Sequence, residues 1–97
     1  MIQRIIFAIT PHSGGKPFRL ALKGRNAWAM RQLINAKALG CTPITRPAPR
    51  WSAYVFNLRK FGIDIKTIHE RHEGEFAGSH ARYVLKDEVR EIGGWEQ

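Results

Sequence analysis

Two stretches near the start of the chain have apolar patterns that are typical of β-strands. Residues 3–9 form an apolar run rich in β-branched side chains, and Phe18, Leu20 and Leu22 alternate with smaller or more polar residues. Between them, residues 11–17 contain two prolines and two glycines, which favour a turn. The pattern predicts two strands that pair as a hairpin.

After Gly24 the hydrophobic period changes to the three-and-four spacing of a helix. This spacing extends from Arg25 to about Ala38, and Gly40 is suited to end the helix. Prolines then mark a short second helix of one turn over residues 42–47 and the start of a third helix over residues 49–61. The apolar positions of the first helix are Ala27, Met30, Leu33 and Ile34.

Two more strands are predicted after the helices: residues 63–67 alternate apolar and polar side chains, and residues 81–85 form the second strand. A polar loop with two glycines, residues 71–79, joins them as a long-looped hairpin. Residues 87–97 show no period and are expected to form a frayed tail, in which Trp95 either docks on the body or marks a contact.

The length of 97 residues corresponds to one domain, and no linker or internal repeat interrupts the chain. We therefore expect a single domain over residues 1–97 with its core in about residues 24–86. The element order predicts an α+β fold, in which a three-helix core is followed by a C-terminal β-hairpin and preceded by an extra N-terminal hairpin.

This order of helix, short helix, helix and hairpin is that of the winged helix-turn-helix superfamily, and the residues also resemble it. The resemblance lies in residues 24–28 (Gly-Arg-Asn-Ala-Trp), 40–44 (Gly-Cys-Thr-Pro-Ile), 51–67 and 81–85 (Ala-Arg-Tyr-Val-Leu). Residues 51–67 contain a hydrophobic residue, two spacers, Leu-Arg, two spacers, Gly, an aliphatic residue, a spacer and Ile. The chain looks most like the small winged-helix proteins of phages, prophages and bacterial genomes.

The resemblance implies that the third helix reads the major groove of DNA and that the loop between the last two strands is the wing. The proline-rich second helix departs from the family pattern, since a full scaffold helix is usual at that position. The geometry of the turn before the third helix therefore stays open.

Charge is distributed unevenly along the chain, whose net charge is +8 and whose isoelectric point is near 10.4. All eight acidic residues lie at or after Asp64, whereas residues 1–63 hold eleven bases and no acid. A solvated basic surface is one explanation, but an acid-free segment of this length repels itself unless a polyanion offsets the charge. Nucleic acid fits better than a membrane surface, because the bases are not gathered on one amphipathic helix.

The third predicted helix separates an apolar face from a polar face. At about 100° per residue, Trp51, Val55 and Leu58 cluster on the side expected to meet the core, with Tyr54 and Phe61 flanking them. The opposite face holds Ala53, Asn57 and Lys60, with Arg50 and Phe56 at its margins. A polar helix face can also be merely solvated, and this alternative stays open.

The side chains on the polar face match the edges of DNA bases. An arginine such as Arg50 can donate twice to guanine, Asn57 can bond adenine through both amide atoms, and Ala53 can approach a thymine methyl group. Lysines and flanking arginines are expected to meet phosphate instead. The full set of expected DNA contacts is Lys23, Arg25, Arg46, Arg50, Ala53, Asn57, Lys60 and Arg71.

Phe56 and Arg59 are each open to more than one interpretation. Phe56 fits a contact with the wing or with a second copy of the chain. Arg59 fits an ion pair with Asp64 as well as it fits a DNA contact.

The wing is expected to contribute less than the third helix. Arg71 and His72 are placed to enter the minor groove, whereas Glu70, Glu73 and Glu75 would repel phosphate. A modest contribution and an inert, solvated loop are equally compatible with the sequence.

No motif typical of an enzyme is present, and we expect neither a catalytic site nor a cofactor. Paired carboxylates and a nucleophile elbow are missing, and Gly14-Gly15-Lys16 lacks the context of a phosphate-binding loop. A zinc site is not expected either, because the candidate ligands His69, His72, His80 and Cys41 are loosely spaced. We expect Cys41 to be a small buried residue.

The single cysteine excludes an internal disulfide, and no apolar run approaches the roughly 18 residues of a membrane helix. No signal peptide is evident, so the cytoplasm is the expected compartment.

The resulting hypothesis is a sequence-specific duplex-DNA-binding protein that acts as a small, phage-like transcriptional regulator without a small-molecule substrate. Winged helices also serve as assembly modules, so a protein–protein adaptor is the alternative, favoured if Phe56, Trp28 or Trp95 is exposed. RNA is disfavoured, because the third helix and the wing lack an aromatic stacking platform. A homodimer is compatible with DNA binding, since short readers often need two half-sites.

Overall fold

The computed structural model describes residues 3–43, 50–72 and 78–96, which contain five strands and two α-helices. In chain order these are β1 (Gln3–Thr10), β2 (Phe18–Leu22), α1 (Gly24–Ala36) with a 3₁₀ turn (Lys37–Leu39), α2 (Trp51–Lys60), β3 (Ile65–His72), β4 (Gly78–Leu85) and β5 (Glu88–Glu96). The chain is therefore α+β, as predicted. Neither described helix combines the length and apolar character that crossing a lipid bilayer requires.

β1 lies at the centre of an antiparallel sheet with the strand order β2-β1-β5. The predicted N-terminal hairpin is confirmed, with Ile5 opposite Leu22 and Ile9 opposite Phe18. Because side chains alternate between the two faces of a strand, Phe7 and Ile9 both point into the core, where they are fully buried.

The prediction of a frayed tail over residues 87–97 is wrong. Residues Glu88–Glu96 form β5, which pairs with β1 along its whole length. A register shift between Ile6 and Phe7 and two consecutive glycines in β5 interrupt the alternation, so its local pattern conceals the strand. The side chain of Trp95 lies outside the described part of the structure.

β3 and β4 form the second hairpin, which is longer than the sequence predicts. Both strands extend into the predicted loop 71–79, and residues 73–77 between them lie outside the described residues. Strands of eight residues each make the paired part of the wing a regular two-stranded ribbon.

Cys41 attaches the free edge of β4 to the end of the first helical segment. Its backbone N–H donates to the Tyr83 carbonyl at 2.8 Å, and its own carbonyl accepts from the Tyr83 N–H at 2.9 Å. Gly40 has φ 70°, and a Cβ at this position would lie 2.6 Å from the Tyr83 carbonyl oxygen. The close approach therefore requires glycine. Cys41 is fully buried, as expected.

The two long helices match the prediction, with small shifts at their ends. α1 ends at Ala36 because Lys37, at φ 53°, begins the tighter 3₁₀ turn, and α2 begins at Trp51. Thr42 is buried but not helical, and residues 44–49 lie outside the described residues. The predicted short second helix falls mostly on that segment, so two α-helices are described where three were predicted.

An aromatic cluster joins both helices to the wing. The ring of Trp28 on α1 lies 5.5 Å from that of Trp51 on α2, and Trp51 stacks on Tyr83 of β4 at 6.2 Å. Tyr54 meets both indoles edge to face. Aromatic pairs of this kind add about 0.5–1.5 kcal/mol beyond their area burial, so they fix α2 between α1 and the wing.

The buried carboxylate of Asp87 ties three connections together. It accepts hydrogen bonds from the backbone N–H groups of His12 and Asp64, both at 2.8 Å. The turn after β1, the segment before β3 and the turn before β5 are thereby held at one point.

Candidate nucleic-acid interface

α2 presents one apolar and one polar face. The predicted core residues are confirmed as buried: Trp51, Tyr54, Val55 and Leu58. On the opposite side Ala53 and Asn57 are half-buried, and Arg50, Phe56 and Lys60 are exposed. Phe61, predicted to flank the core, is instead 46% exposed, because the helix ends at Lys60 and Phe61 no longer continues the buried face.

The polar face of α2 and the first turn of α1 enclose an open groove. One part, of about 380 Å³, is lined by Lys23, Arg25, Asn26, Arg50, Ala53, Tyr54 and Asn57. The other part, of about 450 Å³, shares two of these residues and is lined by Asn26, Asn57, Lys60 and Phe61. We call both parts together the helical groove. It brings together six of the eight residues predicted to contact DNA.

Arg25 is held in place at the mouth of the helical groove. Its Nε donates to the Tyr54 hydroxyl at 3.2 Å, and its guanidinium carbon lies 4.3 Å from the centre of the Trp28 ring. Stacking on one face and a hydrogen bond at Nε leave the two terminal nitrogens of this exposed side chain available as donors. The side chain is therefore preorganised as a donor to an anion.

Asn57 is oriented by a residue from the other helix. Its Nδ2 donates to Oδ1 of Asn26 at 3.3 Å. This bond uses one of the two amide hydrogens of Asn57 and leaves its Oδ1 and the other hydrogen for a further partner. An amide held in this way presents an acceptor and a donor side by side.

The helical groove is electropositive for two independent reasons. None of its lining residues is acidic, and four are basic: Lys23, Arg25, Arg50 and Lys60. In addition, α1 and α2 both begin at the groove, and neither has an acidic residue in its first turn or a side-chain cap. The partial positive charges of both helix N-termini therefore add to those of the side chains.

Arg71 lies on the wing, outside the helical groove, and is exposed. It shares a strand face with Thr67, whose Oγ1 accepts a hydrogen bond from Arg59 of α2 at 2.8 Å. The same Arg59 nitrogen donates to the Ile65 carbonyl at 2.6 Å. Arg59 thus braces the wing against α2, a role that neither the ion pair with Asp64 nor a DNA contact describes.

The opposite face of the wing carries a cluster of paired charges. Glu70 accepts from Nε of Arg82 at 2.8 Å, and its other oxygen lies 3.2 Å from Nε2 of His80. The hydrogen bond from Arg82 lowers the pKa of Glu70 below its ordinary value. Of the three wing acids expected to repel phosphate, Glu70 is therefore neutralised by its own arginine, while Glu73 and Glu75 lie outside the described residues.

Two further predicted positions also fall outside the described part of the chain: Arg46, and the side chain of His72. Within the described part, no group of three or more His, Cys, Asp or Glu side chains is placed to hold a metal ion.

Sequence reasoning missed Asn26 and the hydroxyl of Tyr54 as parts of the site. Asn26 follows Arg25 in the first turn of α1, where side chains surround the helix N-terminus. This position in the sequence is the feature from which its place in the site could have been predicted. Tyr54 was assigned to the core alone, although a buried tyrosine hydroxyl usually finds a polar partner.

A family model described as a winged helix domain matches residues 19–94, which include both helices, the wing and most of β5. The chain matches no curated protein and no solved structure. The family match covers well over half of the chain and agrees with its helices and following β-hairpin. The chain belongs to the winged helix domain family.

Proposed function

We propose that this protein binds duplex DNA with sequence preference and acts as a small transcriptional regulator. Membership of the winged helix domain family indicates DNA binding in general. The observation that carries the finer proposal is the helical groove, which gathers four bases and no acid beside the exposed face of α2. The proposal includes no catalytic step, cofactor or small-molecule substrate.

α2 has dimensions and side chains that suit the major groove. An α-helix with its side chains is about 10–12 Å across, which fits the major groove of B-DNA at about 12 Å wide, and the ten residues of α2 provide about 15 Å of helix along the groove. In this arrangement Arg50 donates to guanine and Asn57 bonds adenine, while Ala53 allows a close approach. The hydrogen bond from Asn57 to Asn26 supports base reading, because it orients the amide before DNA arrives.

The remaining groove residues surround α2 and are suited to phosphate. Lys23, Arg25 and Lys60 flank the reading face, and phosphate contacts of this kind set the register of a protein on DNA. Arg46 is proposed for the same role, and Arg71 for a smaller contribution from the wing.

The adaptor alternative rests on one observation, the 61% exposure of Phe56. Trp28 does not support it, since this side chain is half-buried against Trp51, Tyr54 and Arg25. The two functions differ in their dependence on salt, because only DNA binding releases counterions from a polyanion.

Fluorescence anisotropy with labelled duplex DNA at several salt concentrations tests the proposal. If about five phosphates are neutralised, the logarithm of affinity should fall with the logarithm of salt with a slope of about −4 to −5. Lys16→Ala is the matched control for the loss of a groove lysine such as Lys23. It should leave this slope nearly unchanged, because Lys16 is exposed in the turn before β2 and does not line the groove. A flat salt response, or equal binding to single-stranded RNA, would contradict the proposal.

A homodimer on DNA is part of the same proposal, because two copies can read two half-sites one helical turn apart. Analytical ultracentrifugation of the protein bound to a duplex that it selects from a random-sequence pool should then show two protomers per DNA. A complex of one protomer per site would remove this part of the proposal and leave DNA binding intact.

A further inference from the structure

Phe56 is the most exposed aromatic side chain of the described residues. It lies in the middle of α2, on the side opposite the buried residues. At about 100° per residue it projects within about 30° of the outermost direction of the helix, between Ser52 and Lys60. Packing of the core therefore does not account for a phenylalanine at this position.

The surroundings of Phe56 are polar and cationic. The ammonium group of Lys60 lies 5.2 Å from the centre of its ring, within the range of a cation–π contact. Its other exposed neighbours on α2 are Ser52 and Arg59. A protein-binding surface would place it in a contiguous apolar patch. A single apolar ring among positive charges instead complements an anionic partner that carries isolated apolar groups.

Duplex DNA has this chemistry in its major groove, where the thymine methyl group is the apolar feature among hydrogen-bonding edges and charged phosphates. We infer that Phe56 contacts the 5-methyl group of a thymine and selects a T·A pair at one position of the target. The inference rests on the proposed function and adds a specificity-determining residue to it. Lys60, held over the ring, supplies charge to the nearby backbone.

The test removes one methyl group at a time from the DNA. A duplex that the wild-type protein enriches from a random-sequence pool is synthesised with single thymines replaced by deoxyuridine, which leaves base pairing intact. At one thymine, wild-type binding measured by fluorescence anisotropy should weaken about fourfold, the equivalent of about 0.8 kcal/mol for one buried carbon. Phe56→Ala should bind the thymine and uracil duplexes with equal affinity at that position.

Two further variants serve as controls. Leu39→Ala removes another exposed apolar side chain, on the 3₁₀ turn outside the helical groove, and should keep the full uracil penalty. Phe56→Leu retains an apolar contact and should keep part of it. Because Phe56 is exposed, melting temperatures of both Phe56 variants should equal that of the wild type.

A uracil penalty that survives in Phe56→Ala, or a wild type that senses no methyl group at any thymine, overturns the inference while DNA binding stands. A wild-type dimer that Phe56→Ala dissociates, with the penalty unchanged, overturns it in favour of a second copy covering the ring. If the wild type enriches no duplex at all, the proposed function itself fails.

Discussion

The helical groove and the wing use their charged residues in different ways. Among the described residues, Lys23, Arg50 and Lys60 of the groove form no ion pair with a carboxylate. On the wing, by contrast, Arg82 donates to Glu70. The bases of the groove therefore keep their charge for an anionic ligand, whereas the wing uses an arginine to hold its own strands together. The comparison places the principal DNA contacts of our proposal on the groove.

The fold also explains where the acid-rich end of the chain acts. β5 brings Glu91 back to α1, where Arg31 donates to its carboxylate through Nε at 2.7 Å and Nη2 at 3.0 Å. Asp87 accepts hydrogen bonds from the backbone of connecting segments, and Glu70 accepts a hydrogen bond from Arg82 within the wing. None of the acids in the described residues lines the groove. The uneven distribution of charge along the sequence thus corresponds to an uneven distribution of charge over the surface, in which the described acidic residues lie away from the groove.

The largest effect of a single substitution is expected on stability, at the place where the wing joins the helical part. Gly40→Ala places a Cβ 2.6 Å from the Tyr83 carbonyl oxygen and 2.8 Å from Cγ2 of Val84, at a positive φ. Backbone strain and overpacking together should lower the free energy of unfolding by about 3 kcal/mol or more, measured by urea denaturation.

Two glycines separate the causes of that loss. Gly24 also has a positive φ but nothing within 4 Å, so Gly24→Ala should show only the strain of about 1–2 kcal/mol. Gly15→Ala meets Pro11 at an ordinary 3.6 Å and should change little. If Gly40→Ala loses no more than Gly24→Ala, the wing does not depend on this close approach.

The next largest effect is expected on the selectivity for DNA bases, from substitutions in the helical groove of the protein. Asn57→Ala and Arg50→Ala should each reduce discrimination at one position of the target by about 1–3 kcal/mol, measured as the ratio of specific to non-specific affinity. Asn26→Ala should act at the same position as Asn57→Ala and less strongly, since it loosens the amide without removing it. Unchanged ratios in Asn57→Ala and Arg50→Ala would favour the adaptor function.

The elements built on local periods could be predicted from the sequence. Trp51, Val55 and Leu58 recur at helical spacing because one face of α2 packs on the core, so their burial follows from the pattern. The same pattern placed Asn57 and Lys60 on the opposite side. A helical wheel combined with the distribution of basic residues was therefore enough to predict six of the groove residues.

The contacts that depend on distant parts of the chain could not be predicted. Glu70 meets Arg82 only through the register of β3 on β4, and Asn26 meets Asn57 only through the packing of α1 on α2. β5 was missed because a register shift and two consecutive glycines interrupt its alternation, and its partner β1 lies at the other end of the chain. Local period carries no information about such partners, whose energies are decided by tertiary packing.

A smaller effect should separate phosphate contacts of the groove from those of the wing. Lys23→Ala should weaken binding to all DNA sequences and reduce the magnitude of the salt slope by about one unit, with the specificity ratio unchanged. Arg71→Ala removes the same charge from the wing and should change the slope by less. A larger change for Arg71→Ala than for Lys23→Ala would make the wing the principal phosphate contact and reverse the comparison.

The smallest effect is expected from pH and concerns the two ion pairs outside the groove. Hydrogen bonds from Arg82 and Arg31 lower the pKa values of Glu70 and Glu91, respectively. A carboxyl group whose pKa is lowered by folding stabilises the fold above its unfolded value of about 4.3. That contribution is lost as the pH falls through the lower folded pKa, so part of the stability should disappear between about pH 5 and pH 3.

Urea denaturation of Glu70→Gln and Glu91→Gln at neutral and acidic pH assigns this loss to one pair or the other. Each variant should be slightly less stable than the wild type at neutral pH and should lose less on acidification, because it has no carboxylate to protonate. For Glu91 the difference should stay below about 1 kcal/mol and shrink with salt, since the side chains of Arg31 and Glu91 are 48% and 39% exposed. Glu70 is braced by strand pairing as well as by Arg82, so its variant tests whether the wing needs its internal charge pair. If both variants retain the full acid-dependent loss, these ion pairs do not stabilise the fold, and the internal charge pair of the wing is not a stabilising difference from the groove.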